Sequence, residues 1–305
     1  MYSLFKKIIN RIKFYSYLNK SHKLVHLYKQ IYKNKIYIYD IGAGQRILPE
    51  VLNFNGISKV VLVDPNKNIE YTYNRLLRYF KNTNDLIPIK FGVSDKTKSI
   101  DYFEAYRSTG STFIDMKKNQ QLKKKFYIKN SIKLKTYSFS DLLKKFKLRK
   151  PDIIKIDVEG YEKKVIESVL KHSNPLIIQV ETNLNNPFFD ETFSEINKLI
   201  NSKKYFLNTL IPSYGSYDSK QNKIFNKSKE TKFFDYEYRL AKNELFQAEC
   251  YYIKKKNFYT INELICLSGF GFIDYFEKQL RINKKRYSKN ESRVLQEILL
   301  TQKNI

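Results

Sequence analysis

Four short stretches of this sequence place acidic side chains where a ligand could be held. Asp40-Ile41-Gly42-Ala43-Gly44 ends an apolar run on a pair of glycines. Glycines there remove the Cβ atoms that a closely approaching ligand would meet, and Asp40 can accept hydrogen bonds from an amine or a hydroxyl. Asp64, in Val61-Leu62-Val63-Asp64-Pro65, lies 20 residues beyond Gly44. A carboxylate at that offset suits a ribose diol, accepting from both hydroxyls. It equally suits a helix N-cap with Pro65 at the first helical position. Lys155-Ile156-Asp157-Val158-Glu159-Gly160-Tyr161-Glu162 sets two carboxylates two residues apart where a buried strand turns into a helix. On a continuing strand Asp157 and Glu159 would share one side. Glu159 alternatively caps the helix, and Glu162 reads as a solvated helix residue. Gln179-Val180-Glu181-Thr182 ends the next strand, so Glu181 comes up beside Asp157 if the two strands are neighbours.

The glycine turn is not a full dinucleotide fingerprint, because Arg46 follows Gly44 by two residues and no third glycine comes after it. A nucleoside fits better than a pyrophosphate. S-adenosylmethionine, a sulfonium nucleoside, needs no phosphate cradle and tolerates nearby carboxylates because its own centre is cationic. Methyl transfer to an alcohol requires alignment and removal of the hydroxyl proton. Asp157 or Glu159 is the candidate base, with Glu181 orienting the acceptor. His172 falls at the far end of the helix after Glu159 and reads as structural. Asp157 and Glu159 alone offer too few oxygens for a divalent cation, so no metal is expected.

Elements that could position these groups alternate along the chain. Strand-like runs at 36–41, 60–63, 87–93, 153–158 and 176–181 are separated by helical patterns at 47–54, 67–80, 161–170 and 191–200. Continuous Val/Ile runs indicate strands covered on both faces, and the rhythm indicates a parallel, doubly wound α/β sheet. Residues 94–140 interrupt it with extra strands at 99–105 and 132–136, and 246–254 reads as a late strand that hairpins back to 205–211. Three units are expected: a basic N-terminal helical segment (1–34), a Rossmann-like domain (35–256) and a helical extension (257–305), the last with a Ser288/Glu291 capping box.

Composition narrows the partners. Lys and Arg number 57 against 30 Asp and Glu, for a net charge of +27. The excess is spread along the whole length, as a solvated basic surface would be, and no RNA-binding module accompanies it, so nucleic acid is not the expected partner. RNA binding or RNA methylation, and a non-catalytic interaction role, are the rival readings. Leu4, Phe5, Ile8, Ile9 and Ile12 make an apolar stripe opposite Lys6, Lys7, Arg11 and Lys13. That stripe is read first as packing on the main domain, and second as weak contact of residues 4–13 with an anionic membrane surface. No spanning or targeting segment is visible, which reads as a cytoplasmic protein, peripheral to the inner face of the membrane at most. Two cysteines and three histidines exclude a disulfide framework and a zinc cluster.

DIGAG, VDPN, FGVSD (91–95), STGST (108–112), DIIKIDVEGYEKKVI (152–166) and PLIIQVE (175–181) occur in that order. In this the chain resembles the FkbM-type family of S-adenosylmethionine-dependent methyltransferases, over about 36–211. The resemblance implies a Rossmann-like sheet and O-methyl transfer to a hydroxyl of a sugar, glycan or secondary metabolite. It implies that Asp40, Gly42 and Gly44 line the cofactor, Asp64 holds the ribose, Ser94 and Asp95 lie near the adenine, and Asp157 and Glu159 face the methyl. The chain departs from the family in having Gly44 and Arg46 where Asn and Gly are usual, and Asp64 where Glu is usual. The acceptor is not readable, though the loops at 107–130 and 212–235 are placed to shape its pocket.

Overall fold

A computed structural model describes residues 2–44, 48–80, 82–105, 111–114, 128–184, 192–215 and 244–303, and of 2–15, 213–215 and 244–246 the backbone alone. Its strands are β1 (Ile36–Ile41), β2 (Ser58–Val63), β3 (Leu86–Ile89), β4 (Gly92–Ser94), β5 (Lys98–Ala105), β6 (Ile128–Ser138), β7 (Ile153–Ile156), β8 (Ile177–Asn183), β9 (Tyr205–Gly215) and β10 (Glu244–Lys254). Its α-helices are α1 (Tyr2–Ile31), α2 (Ile69–Leu76), α3 (Phe139–Lys145), α4 (Glu162–His172), α5 (Phe193–Asn201), α6 (Ile261–Gly269), α7 (Ile273–Asn283) and α8 (Lys289–Lys303).

Seven strands form one sheet in the order β3-β2-β1-β7-β8-β10-β9. The first five run parallel, and β10 runs antiparallel to both β8 and β9. This is the doubly wound sheet with a late antiparallel strand that the alternating pattern predicts. Both faces are covered, so successive residues of β1 enter different cores. Ile36 and Ile38 pack with α1, α6, α7 and α8, whereas Tyr39 and Ile41 pack with α3, α4 and α5. That is why β1 reads as an unbroken apolar run rather than an alternating one.

The predicted strand at 87–93 is two strands in two sheets. β3 is an edge of the large sheet, where Pro88 is tolerated because no further strand needs its missing N–H. The chain then turns at Lys90 and Phe91, and β4 joins a three-stranded sheet, β4-β6-β5. The stretch expected to be helical from residue 47 is a 3-10 helix, Pro49–Phe54, and the helix expected at 67–80 is the shorter α2. α3 was not foreseen; Ser138 caps it by accepting from the Asp141 amide.

The C-terminal half of α1 and the three last helices share one core with the back of the sheet. Tyr28 and Phe54 are fully buried there. Buried polar groups register the pieces: the Ser21 hydroxyl donates to Asn53 Oδ1 (2.6 Å), Asn53 Nδ2 donates to the Gly269 carbonyl (2.7 Å), and Gln302 Nε2 donates to the Ser268 carbonyl (2.9 Å). A Cβ on Gly269 would stand 2.2 Å from the Phe54 ring, so α6 and the 3-10 helix meet at a glycine by necessity. The Ser288/Glu291 capping box is present at the start of α8. The side chains of the apolar stripe at 4–13 lie outside the described residues, as does most of the loops at 107–130 and 212–235. No helix among the described residues is long and apolar enough to cross a membrane.

Candidate active site

The carboxyl ends of β1, β2, β7 and β8 open onto one cavity of about 230 Å³. Such a crevice outside the strand ends of a doubly wound sheet is where ligands bind in this architecture. Gly42, Gly44 and Asp64, which follow β1 and β2, line it together with Asp157, Glu159 and Glu181, which come from the ends of β7 and β8.

The glycine turn is held from behind. Gly42 N–H donates to the Val63 carbonyl (2.8 Å), and Asp157 N–H donates to the Ile41 carbonyl (3.0 Å). Gly42 has φ +82, and a Cβ there would lie 1.7 Å from the Asp157 carbonyl oxygen. Gly42 is therefore demanded by the crossing of two backbone turns, and it also lines the cavity. At Gly44 (φ +42) a Cβ would make ordinary contact with the Gly42 carbonyl oxygen at 3.7 Å, the nearest atom among the described residues.

Asp64 does not cap a helix, since α2 begins only at Ile69. Its carboxylate instead accepts from the amides of Gly44 (2.9 Å) and Asn66 (2.7 Å). Burial pushes its pKa up to about 6, with the nearby Asp40 adding to the rise, against the pull of those two amides and Lys155. Thr72 donates to the Gly44 carbonyl (2.7 Å), which ties the turn to α2 as well.

Asp40 does not line the cavity. It lies beneath, 2% exposed, and pairs with Lys155, its register neighbour on β7. Lys155 Nζ donates to Asp40 Oδ1 (3.3 Å) and to Asp157 Oδ2 (3.0 Å). Burial disfavours the ammonium, but Asp157 and Asp40 outweigh it and hold Lys155 well above the usual lysine range. Asp40 is itself raised by burial, and further by Asp157.

β7 ends at Ile156, so strand alternation does not place Glu159. A left-handed residue does: Glu159 has φ +54, followed by Gly160 at φ +89. The Thr112 hydroxyl donates to the Glu159 carbonyl (2.7 Å) and steadies that conformation. Glu159 does not cap α4, whose N-cap is Tyr161. Glu162, expected in solvent, is 2% exposed, and its Oε1 accepts from the amides of Val158 (2.9 Å) and Gly160 (3.1 Å).

Glu181 stands beside Asp157 because Ile156 pairs with Val180 in parallel register. Burial pushes the Glu181 carboxyl up to about 9, with Asp157 and Glu162 adding to the rise. Oxygens of Asp157, Glu159 and Glu181 lie within 4.8 Å of one another. That spacing is open to a divalent cation and supplies the third carboxylate the sequence reading lacked. A trio of acids does not by itself make a metal site, and Lys155 already brings a cation to this one from within the chain.

Ser94 and Asp95 are not brought to the cavity. Ser94 is fully buried and donates to Asp95 Oδ1 (2.7 Å). Asp95 turns outward to Lys98 (2.9 Å), and that lysine with the serine hydroxyl overcomes burial to hold it down to about 2. Their neighbours Phe91, Gly92 and Val93 line the cavity instead. Tyr102, Ser111, Phe113 and Gln247 also line it and were not foreseen, since they arrive from the second sheet, its loop and β10. Lys155 was readable: two residues before Asp157 on a strand, it had to share that residue's face.

The family model of the FkbM methyltransferase domain matches residues 40–207, more than half of the chain. The protein belongs to the FkbM methyltransferase family. No curated protein matches its sequence. Among solved structures, it is similar to a precorrin-6y C5,15-methyltransferase from Geobacter metallireducens (11% identity, 76% of this chain and 86% of that one, TM-score 0.38). It is also similar to the StiE O-MT (14%, 85% and 80%, 0.38) and to M. capricolum TrmK in complex with S-adenosyl-homocysteine (14%, 92% and 95%, 0.34). TM-scores this low say nothing about acceptor or chemistry. What the match does support for this FkbM-family chain is methyl transfer in general.

Proposed function

We propose that the protein transfers a methyl group from S-adenosylmethionine to a hydroxyl of a sugar, glycan or related small molecule. The observation that carries this is the acid lining one cavity, with Asp64 at the glycine turn and Asp157, Glu159 and Glu181 from the neighbouring strand ends. The fit is chemical: a diol faces a single carboxylate, and a cation is drawn to three. When bound, the donor supplies an electrophilic methyl on a cationic sulfur.

The chain's own residues do the rest. Asp64 accepts from the ribose hydroxyls, while the apolar walls formed by Val63, Phe91, Val93 and Phe113 suit a purine ring. Lys155 anchors Asp157, and Thr112 anchors the backbone of Glu159, so the acid groups are set before any ligand arrives. The acceptor proton passes to the Asp157, Glu159 and Glu181 cluster as the new C–O bond forms. The carboxylates that line the cavity set the reacting end of the acceptor in acidic surroundings, which favours a neutral polyol over a phosphorylated group there.

Asp64→Ala is expected to abolish binding of S-adenosylmethionine in titration calorimetry, and Asp64→Asn to weaken it by roughly tenfold or more, about 1.4 kcal/mol. Unchanged affinity in both would remove the assignment. Mass spectrometry of candidate glycans with labelled donor tests the acceptor: label on nitrogen or carbon, rather than oxygen, would overturn the hydroxyl reading.

A further inference from the structure

The pole of the molecule away from the cavity is built from turns crowded with lysine. β10 runs antiparallel to β8, so its last residues lie at the amino ends of the parallel strands. There Lys254 N–H donates to the Leu176 carbonyl (3.0 Å), and Lys255 N–H donates to the carbonyl of Lys204 (2.7 Å) in the turn that opens β9. Lys203, Lys204 and Lys255 are exposed, and Lys254 lies over the Tyr205 ring (5.7 Å). Lys204 holds φ +65, a left-handed conformation that costs a lysine more than a glycine. The pole continues into the exposed Lys284, Lys285 and Arg286, because the Arg286 guanidinium covers the Phe258 ring (5.0 Å) and Tyr287 stacks on Phe258 (5.8 Å). Carboxylates nearby are engaged elsewhere: Glu263 with Lys256 (2.6 Å), Glu277 with Arg281 (2.5 Å) and Lys303, and Glu291 with Lys33 (2.9 Å). None of Lys203, Lys204, Lys255, Lys284 and Lys285 forms an ion pair with a described residue.

Ile282 stands beside them at the end of α7. It is 64% exposed, more than any other large hydrophobic side chain among the described residues, and shares its face with Asp274, Lys278 and Arg281. An apolar tip ringed by cations suits the boundary of a bilayer, where the tip enters the acyl region and the ammonium groups stay with lipid phosphates. We propose that this pole docks on an anionic lipid surface through Ile282 and the lysines around it, leaving the cavity at the opposite strand ends turned to water. A nucleic acid fits less well, since base stacking needs open ring faces and those of Phe258 are taken by Arg286 and Tyr287. Nor is this the stripe at 4–13. That stripe begins the 30-residue α1, whose other end reaches the pole at Lys33, roughly 30–40 Å away at 1.5 Å per residue. The contact uses neither methyl donor nor acceptor, so it stands or falls apart from the activity proposed above.

Vesicle flotation of the full chain tests it. The protein should float with mixed phosphatidylglycerol and phosphatidylcholine vesicles, not with phosphatidylcholine alone, and should be released as salt rises. Each cation near an anionic bilayer is worth roughly fivefold in partitioning. Lys255→Ser/Lys284→Ser/Lys285→Ser should therefore weaken binding roughly hundredfold. Lys96→Ser/Lys129→Ser/Lys133→Ser, in and beside the small sheet, removes the same charge and should change it less than about fivefold. Ile282→Ser should weaken binding without altering its salt dependence. Lys204→Gly should weaken binding roughly fivefold yet raise the melting temperature, because glycine relieves the left-handed turn, so loss of fold cannot mimic the effect. Equal losses from the two triple variants would mean that charge anywhere on the chain suffices, and overturn the proposal. Failure of the unsubstituted chain to float with the anionic vesicles would overturn it too, and so would tighter binding to RNA than to those vesicles at the same ionic strength.

Discussion

At the scale of single residues, two glycines of one turn have different jobs, and substitution separates them. Gly42 sits where the backbone of Asp157 passes, so Gly42→Ala must push two strand ends apart. Gly44 needs only a positive φ, worth about 1–2 kcal/mol to an alanine. Urea unfolding should show Gly44→Ala losing about that much and Gly42→Ala losing several kcal/mol or failing to fold; similar losses would mean that the turns do not cross as described. Glu181 gives a second residue-scale prediction. Below its ordinary value of 4.5 the group is protonated whether the chain is folded or not, and from there to about 9 only the unfolded chain ionises. The folded form therefore binds more protons across that window, and stability falls as pH rises, by up to about 1.4 kcal/mol per unit. Glutamine cannot titrate. The melting temperature of Glu181→Gln should thus gain on the parent between pH 5 and 9, and a constant gap would show that Glu181 is not held protonated. Asp157 and Glu181 were legible as a pair because strand tips of a parallel sheet converge, whereas Glu159 joins them through a left-handed turn. Glu162 was not: a glutamate in the first turn of a helix reads as solvated, and its burial depends on two amides from a left-handed turn that one sequence does not announce.

At the scale of elements, the strands of the large sheet were readable because each is an unbroken Val/Ile run buried on both sides. The second sheet was harder. β5 and β6 show their own alternation, but β4 is three residues long and continues an apolar stretch from β3, so nothing marks the break except the turn at Lys90 and Phe91. The cost of missing that break was Tyr102 and Phe113, which close the cavity from β5 and its following loop. The buried polar clasp between elements is equally silent in sequence. Asn53 both accepts from Ser21 on α1 and donates to Gly269 on α6. Asn53→Ala strands the Gly269 carbonyl, whereas the Ser21 hydroxyl still reaches the Tyr17 carbonyl (2.9 Å), and is expected to cost about 1–3 kcal/mol, read as a shift in the urea midpoint at constant slope. A loss under 0.5 kcal/mol would show that water or neighbouring groups replace it.

At the scale of the molecule, the helices at the two ends of the chain close the same core. Val294, Leu295 and Ile298 of α8 are buried against α1 and α6. Removing residues 288–305 forfeits their burial, worth about 1.5–3 kcal/mol each and together on the order of the whole stability of a domain. The shortened chain should lose its cooperative thermal transition, and a retained transition within a few degrees of the parent would show that α8 is an appendage. The periodicity of the tail announced amphipathic helices, but not their partner, because an apolar stripe names no surface.

That closure also sets an order of events during synthesis. Leu24, Leu27, Tyr28 and Ile31 are made near the start, yet they pack against residues from 261 onward. Translation at about 5–20 residues per second leaves that greasy face of α1 uncovered for on the order of ten to fifty seconds. β10, which must slot between β8 and an already finished β9, arrives nearly as late. A ribosome stalled near residue 240 would therefore display a protease-sensitive nascent chain and a landing place for chaperones, well after every acidic residue of the cavity's two rims has emerged.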